Sequence, residues 1–471
     1  MDGHETLADL VAAEDVLLFV NAAVTATGQR EFRSAAGEQR LSLAFLHEYV
    51  RVNHRRVYAA SLALDINDHN AALVAEQLLR HAHEATPDEK RLEGRLVAAR
   101  LAALPPQRVY RLFAALRAAR VNNRRTRALM RDWLASRPDP AYHAVKYRAG
   151  VKAAARHAHL PPGHDELGDF LFAPHRRTRY ADPLLDAHRR ARYEQAALYE
   201  LPFTVAEGFA ARHGVPRERF LERMAPRMTR LERLRTRPDA AGTDLGTMPL
   251  TRLALYVLSL GFAERVARRA ELTDALRSAA RRAAGPYAGT WGRVAAVLDD
   301  SYSSYGSGVK RRRPLAVALG CHFLLEALAA PGAYVPLWTS GGTDPLCVRP
   351  WGATPLGTRV LDALATDPER LLIVSDGWDN APPGLAGEVL RVWRTRLDPG
   401  RRTSVVHLNP VYDADGFDVR RLAPGVPTAG VRDAEDLPAL VEIAQFAEGR
   451  TGFAELRAYL DRRVALFLGD A

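Results

Sequence analysis

The chain has almost no cysteine: Cys321 and Cys347 are the only two among 471 residues. Two thiols cannot build a disulfide framework or a four-thiolate zinc site, and their scarcity suits a reducing cytoplasm. Long apolar runs are also missing. The longest, Leu315 to Ala330, is interrupted by His322 and Glu326, so it reads as a buried helix and not a membrane span. The opening Met1-Asp2-Gly3-His4-Glu5 lacks the basic and apolar regions of a signal peptide. A cytoplasmic monomer with no membrane segment is therefore expected. No strict internal repeat is present, and no Ser/His/Asp or Cys/His set has the spacing for nucleophilic catalysis, so no enzyme is expected.

What is present is ordinary in amount and uneven in placement. Charged residues at 26% and hydrophobic residues at 47% are those of a globular chain, and 471 residues suffice for two or three cores. The formal net charge is +11. Residues 286–471 carry 20 Lys or Arg against 22 Asp or Glu, which leaves 46 against 33 for residues 1–285. The whole excess is N-terminal. A basic domain attracts phosphate backbones through Coulomb steering and counterion release. Arginine scattered over solvated helix faces would give the same count, so charge alone leaves both readings open.

The pattern changes along the chain at Gly285-Pro286. Before it, apolar residues recur at helical spacing, as Val109, Leu112, Phe113 and Leu116 do within Gln107–Arg120. Similar stretches cover Leu41–Leu64, Asn67–His83, Arg124–Leu134, Arg189–Leu201, Arg217–Leu234 and Leu250–Ala270, separated by turns such as Pro105-Pro106 and Pro138-Asp139-Pro140. Antiparallel helix pairs stacked in series are predicted over residues 1–285. After it, strand-like runs alternate with helical ones. Strands are predicted at Arg293–Leu298, Tyr334–Trp338, Leu371–Val374, Ser404–Leu408 and near Val426–Val431; helices at Pro314–Ala330, Pro355–Ala365, Gly384–Arg396 and Leu437–Glu448. That alternation implies a mainly parallel, doubly wound sheet over residues 286–471. The last helix, Phe453–Leu468, is placed to pack back on the N-terminal domain.

Asp299-Asp300-Ser301-Tyr302-Ser303 follows the apolar run Val294–Leu298 directly and reads Asp-x-Ser-x-Ser. A loop at a strand end can aim one carboxylate and two hydroxyls at a point, the all-oxygen environment that a hard cation takes. Such a stretch alone is more often a helix cap or turn. Here Thr354 and then Asp376 follow in order, and Asp376 also ends an apolar strand. In open α/β sheets ligands collect outside the carboxyl ends of the strands, so Asp299 and Asp376 are expected to converge. The ordered set resembles the metal-ion-dependent adhesion site of von Willebrand factor A domains. The resemblance implies Asp299, Ser301, Ser303, Thr354 and Asp376 as ligands of a divalent cation, Mg²⁺ or Mn²⁺, which keeps affinity for an acidic group on a partner protein.

The richest basic stretch runs from Arg117 to Pro162, with Arg117, Arg120, Arg124, Arg125, Arg127 and Arg131 ahead of Trp133. Lys146-Tyr147-Arg148, Lys152, Arg156, His157 and His159 follow. Arginine forks grip phosphates, while Tyr147 and the histidines suit unpaired bases. The order Arg127-x-Leu-x-x-x-Trp133, then Lys146-Tyr147-Arg148, then Lys152, Arg156 and His159-Leu160-x-Pro162 resembles the TROVE module of the Ro autoantigen family. Met248-Pro249-Leu250-Thr251 is similar to a later segment of that family. The family joins a ring of HEAT-like helical repeats to a von Willebrand A domain. The resemblance implies binding of small structured noncoding RNAs and of single-stranded 3′ ends of misfolded RNAs. Arg117, Arg120, Arg124, Arg125, Arg127, Lys146, Arg148, Lys152, Arg156 and His159 are the candidate RNA contacts. The chain departs from the family at Ala149-Gly150-Val151, where Val151 replaces a histidine and the loop is shortened. A protein-interaction adaptor with no RNA role is the alternative, resting on the cation site alone.

Three weaker signals carry less. His157, His159, His164 and Asp165 fit no common zinc spacing. Ser304–Lys310 is glycine-rich but lacks the spacing of a phosphate-binding loop. Lys310-Arg311-Arg312-Arg313 either reaches a phosphate near the cation or starts a helix.

Overall fold

The computed structural model describes residues 7–161, 165–229, 232, 233, 236, 245–438 and 453–470. Helices come first: α1 (Leu7–Thr25), α2 (Ala36–Asn53), α3 (Arg55–Ala60), α4 (Asp68–Arg80), α5 (Pro87–Ala103), α6 (Pro106–Ala118) and α7 (Arg124–Ala135). Then come α8 (Pro140–Lys146), α9 (Arg148–His157), α10 (Glu166–Phe172), α11 (Pro183–Arg190), α12 (Phe203–Arg212) and α13 (Arg217–Met224). Local chemistry sets their starts. Thr86 and Glu89 form a capping box on α5, and Asn123, Asp139, Asp165 and Asp182 accept backbone N–H groups at the heads of α7, α8, α10 and α11. Pro87, Pro106, Pro140 and Pro183 occupy first helical turns, where no N–H is needed.

After residue 245 the order is α14 (Leu250–Ser259), α15 (Phe262–Ala267), α16 (Arg269–Ala284), β1 (Val294–Leu298), α17 (Arg313–Leu328), β2 (Tyr334–Trp338), α18 (Leu356–Leu364) and β3 (Arg370–Val374). Next are α19 (Leu385–Val392), β4 (Ser404–Asn409), β5 (Tyr412–Asp413), β6 (Asp418–Val419), β7 (Thr428–Gly430) and α20 (Phe453–Leu468). Five parallel strands lie in the order β2-β1-β3-β4-β7, with Leu298 level with both Trp338 and Val374. Chain order reverses between β1 and β3, so the loops after those two strands open on the crevice where ligands of such sheets bind. Ala295, Val297, Leu371 and Ile373 point to the face covered by α18 and α19.

Several helices differ from the sequence reading. The stretch expected as one helix over Arg189–Leu201 breaks after Arg190, which binds Asp186, Glu194 and Glu200 and so gathers a turn around itself. Arg217–Leu234 stops at Met224, two residues before Pro226. Leu250–Ala270 is cut at Leu260-Gly261. The helix expected at Leu437–Glu448 lies almost entirely outside the described residues.

The chain divides into compact units made of residues 1–74 with 244–471, and of 75–243. The break expected at 285/286 falls inside the first of these, and α17 is the reason. That helix is buried all round, from Leu315 through Leu325 without exception. A helix apolar on every side needs cover on every side. The sheet supplies one side; α14 and α16 supply the other. Thr251 on α14 fastens the layer: its hydroxyl donates to Glu435 at 2.7 Å and accepts from the Ala434 N–H at 2.7 Å. Gly320 permits the approach, since a Cβ there would stand 2.8 Å from the Ala434 methyl.

The N-terminal helix joins the same unit. β7 is an edge strand, and Asn21 of α1 covers its end by accepting the Gly430 N–H at 2.9 Å and donating to Asp418 at 3.0 Å. Helix α20 packs against α1 and α3, with ion pairs Arg56–Asp461 and Arg463–Asp65, so the closing helix does fold back on the N-terminal helices. In the unit of 75–243, Tyr110 and Phe113 meet Trp133 edge to face, and Phe170, Phe203 and Phe220 centre a second apolar cluster. Among the described residues no helix is long and apolar enough to cross a membrane.

Candidate cation site and basic helical surface

Asp299 leaves β1 with its N–H donating to the Val374 carbonyl at 3.0 Å, which carries the sheet register one residue further and sets Asp299 beside the end of β3. Its Oδ1 accepts the Ser301 N–H at 2.9 Å. The Ser301 and Ser303 hydroxyl oxygens are 3.2 Å apart, and Ser303 bonds the Asp376 carboxylate. Asp376 is held in turn by the Trp378 N–H at 3.1 Å. Asp299, Ser301, Ser303 and Asp376 thus converge, and all four are buried. Thr354 lies on a third loop pinned to the other two. Trp351 and Gly352 bond the backbone of Asp300 and Tyr302, and Asn380 bonds both the N–H and the carbonyl of Thr354.

Two buried carboxylates share this point with neutral hydroxyls. Burial first and the neighbouring Asp376 second push the Asp299 carboxyl up to about 7. Asp376 is also raised by burial, opposed by Ser303, the Trp378 N–H, Arg33 and Arg420. An all-oxygen set in which neither carboxylate has an ion-pair partner among the described residues fits a hard dication, with Asp299, Ser301, Ser303, Asp376 and Thr354 as the residues that could hold it. Among the described residues no three His, Cys, Asp or Glu side chains gather into a metal-binding group; this set has two carboxylates and three hydroxyls. Asp300 takes no part. Its carboxylate accepts from Thr339, from the Ser340 N–H and from the Ser340 hydroxyl, and so ties β1 to the loop after β2.

Sequence reasoning missed the rim of this site. Arg33 and Arg420 lie 4.0 and 3.8 Å from the centre of the Trp378 ring, and Arg420 also donates to the Gly377 carbonyl at 3.2 Å. Phe32 meets Tyr302 edge to face. Nothing in the local pattern around Arg33 announces a partner 345 residues away. Of the basic run 310–313, three members are engaged within the protein, while Arg311 is exposed beside the Tyr305 ring. Lys310 pairs with Glu31, Arg312 donates to the Leu258 carbonyl, and Arg313 binds Asp433 and the Arg432 carbonyl at the head of α17.

The basic stretch of the 75–243 unit sorts into three groups. Arg117 and Arg120 at the end of α6 and Arg124 at the head of α7 are exposed, and their side chains have no hydrogen-bond or ion-pair partner among the described residues. Among the described residues the one hydrogen-bond partner of the Arg127 guanidinium is His159, whose other ring nitrogen lies 3.3 Å from Asn122. His157 bonds the Val121 carbonyl at 2.9 Å, which brings the end of α9 to this same corner. The second group sits along α9: Lys152 and Arg156 lie 5.9 and 5.6 Å from the Phe172 ring. The third is absorbed by packing. Arg125 pairs with buried Glu93, Lys146 donates to the Tyr142 hydroxyl at 2.8 Å, and Arg148 donates to the Phe170 carbonyl at 2.7 Å. The histidines hold backbone and side-chain partners, and His164 lies outside the described residues.

No family model matches the chain, and no curated protein is significantly similar to it.

Proposed function

We propose that the protein binds RNA through the corner where α6, α7 and α9 meet, taking small structured RNAs and single-stranded 3′ ends, in small-RNA scaffolding or quality control. One observation carries this reading. Arg117 and Arg120 at the end of α6 and Arg124 and Arg127 in the first turn of α7 lie at one corner, and none has a carboxylate partner among the described residues. Unneutralised guanidiniums gathered at helix ends, three of them exposed, suit phosphate oxygens. Filter binding of a stem-loop RNA with a free 3′ tail tests it. Affinity is expected to fall steeply as salt rises; a flat salt response or no binding at low salt defeats the proposal.

The cation site supports a second role in the other unit. A dication on Asp299, Ser301, Ser303, Thr354 and Asp376 would supply an open coordination position for an acidic side chain of a partner protein. The residues present would hold and orient the ion, while Trp378 with its two arginines frames the approach. If Asp299→Ala and Asp376→Ala abolish a protein contact and leave RNA binding intact, both roles coexist.

A further inference from the structure

A cavity of about 430 Å³ opens in the 75–243 unit among α6, α7, α8, α9 and α10. Its size is that of a small-ligand pocket, about 300–1,000 Å³. The walls are apolar: Leu134, Val151, Ala155, Leu171 and Phe172. The polar groups are few and placed apart. On one side the Tyr110 hydroxyl and His143 Nδ1 stand 3.1 Å from each other, both residues buried. Gly150 presses α9 onto the Tyr110 ring, where a Cβ would come within 2.9 Å, and so fixes the direction of that hydroxyl.

Arg131 and Arg137 also line the cavity. Each is anchored by part of its fork. Arg131 donates to the Ala158 and His159 carbonyls, and Arg137 to the Trp133 carbonyl and the Ser136 hydroxyl. The Nη1 group of each has no partner among the described residues. Phe172 forms one wall and carries Lys152 and Arg156 beside it. The one carboxylate on the lining, Asp165, is engaged in capping α10. Two arginines therefore line an apolar slot with a single donor–acceptor pair inside, and two further cations lie by the Phe172 ring that forms its wall. A flat ring with polar edges, borne on a phosphate chain, matches every part of that arrangement.

We infer that this cavity is a nucleobase pocket: one base of a single-stranded RNA enters between Phe172 and the α7–α9 wall while Arg131, Arg137, Lys152 and Arg156 hold the adjoining phosphates. The inference rests on the RNA reading above and adds to it a site that distinguishes a base from bare backbone. Tyr110 and His143 meet the edge of the ring, and the apolar walls meet its faces.

The test compares two labelled 12-mers of equal charge by fluorescence anisotropy with the full chain: a single-stranded oligoadenylate and the same ribose–phosphate chain without bases. The wild type is expected to favour the base-bearing strand at least tenfold. Ala155→Phe, which fills the slot, is expected to bring that preference close to one while leaving affinity for the abasic strand unchanged; Leu134→Trp serves if Ala155→Phe melts early. Equal, salt-sensitive binding of both strands by the wild type overturns the pocket and leaves the RNA reading standing. A preference that survives both fillings also overturns it. Binding of neither strand overturns the RNA reading itself.

Discussion

The Arg33 guanidinium rests 4.0 Å from the centre of the Trp378 ring, two residues beyond Asp376. It places a positive charge from the loop after α1 at the edge of two buried carboxylates. Arg33 stabilises the ionised Asp376, as Arg420 does, yet it opposes a dication between Asp376 and Asp299. Arg33→Ala is expected to tighten Mn²⁺ by on the order of 1 kcal/mol, roughly fivefold. Calorimetric titration with Mn²⁺ measures it, and weaker binding in the variant would contradict this electrostatic account.

Removing one of the facing acids should separate metal binding from stability. Asp299→Asn deletes a charge that is costly without an ion, so in chelator the variant is expected to gain about 1–3 kcal/mol over the wild type. Wild type should gain stability on adding Mg²⁺ or Mn²⁺, and the variant should not. Thermal melts with and without metal read both effects.

The three groups of arginines should respond differently. Arg117→Ala, Arg120→Ala and Arg124→Ala together are expected to weaken RNA roughly 10- to 100-fold at low salt and to flatten the log–log salt dependence by about one for each phosphate no longer neutralised. Arg125→Ala leaves buried Glu93 without that partner and is expected to cost about 2–4 kcal/mol of stability with little change in the salt slope. Equal effects on binding from both variants would dissolve the distinction.

Acid should destabilise the protein through histidines that are buried in the neutral form. Burial is the largest cause that pushes His47, His188, His322 and His407 from 6.5 down to about 4. The unfolded chain takes up protons at these positions below pH 6.5, and the folded chain does so only near pH 4. The histidine contribution to stability is therefore full above pH 6.5 and lost as pH falls from 6.5 to 4, by at most about 3 kcal/mol per histidine. His407, which lies between Thr428 and the Ser375 carbonyl, offers the cleanest test. Urea unfolding of His407→Gln at pH 7.5 and 5 should show a loss on acidification smaller by one group.

Thr251→Val keeps the shape of the α14 contact and removes its hydroxyl from Glu435 and from the Ala434 N–H. A loss of about 1–3 kcal/mol is expected from chemical denaturation. No loss would mean that α14 is not fastened to the sheet unit through this residue.

The strand-end acids were legible because their chemistry is local. An apolar run followed by Asp-x-Ser-x-Ser, and another ending in Asp376, identify loops at strand ends; parallel pairing then brings those loops together. The loop of Thr354 was legible only by order, since Asn380 and the Gly352 carbonyl position it. Arg33, Arg420 and Trp378 were not legible, because three unremarkable residues become a group only through packing of distant loops. Nor could basic composition separate Arg124, which faces solvent, from Arg125, whose fork turns to Glu93 one residue later. A helix rotates by about 100° per residue, so neighbours in sequence face different surroundings.

By itself the sequence determined where most helices and strands begin, through Thr86, Asn123, Asp139 and the first-turn prolines, and it determined which strands end in acids. These are short-range effects of capping, backbone restriction and periodic apolar spacing. Tertiary structure decided how the chain is partitioned, which charges stay uncompensated and that a slot opens beside Phe172. An all-round apolar α17 must be covered, and the elements that cover it lie on both sides of the point where the pattern changes. Burial on two faces is satisfied by whatever packs there, and no local pattern names it.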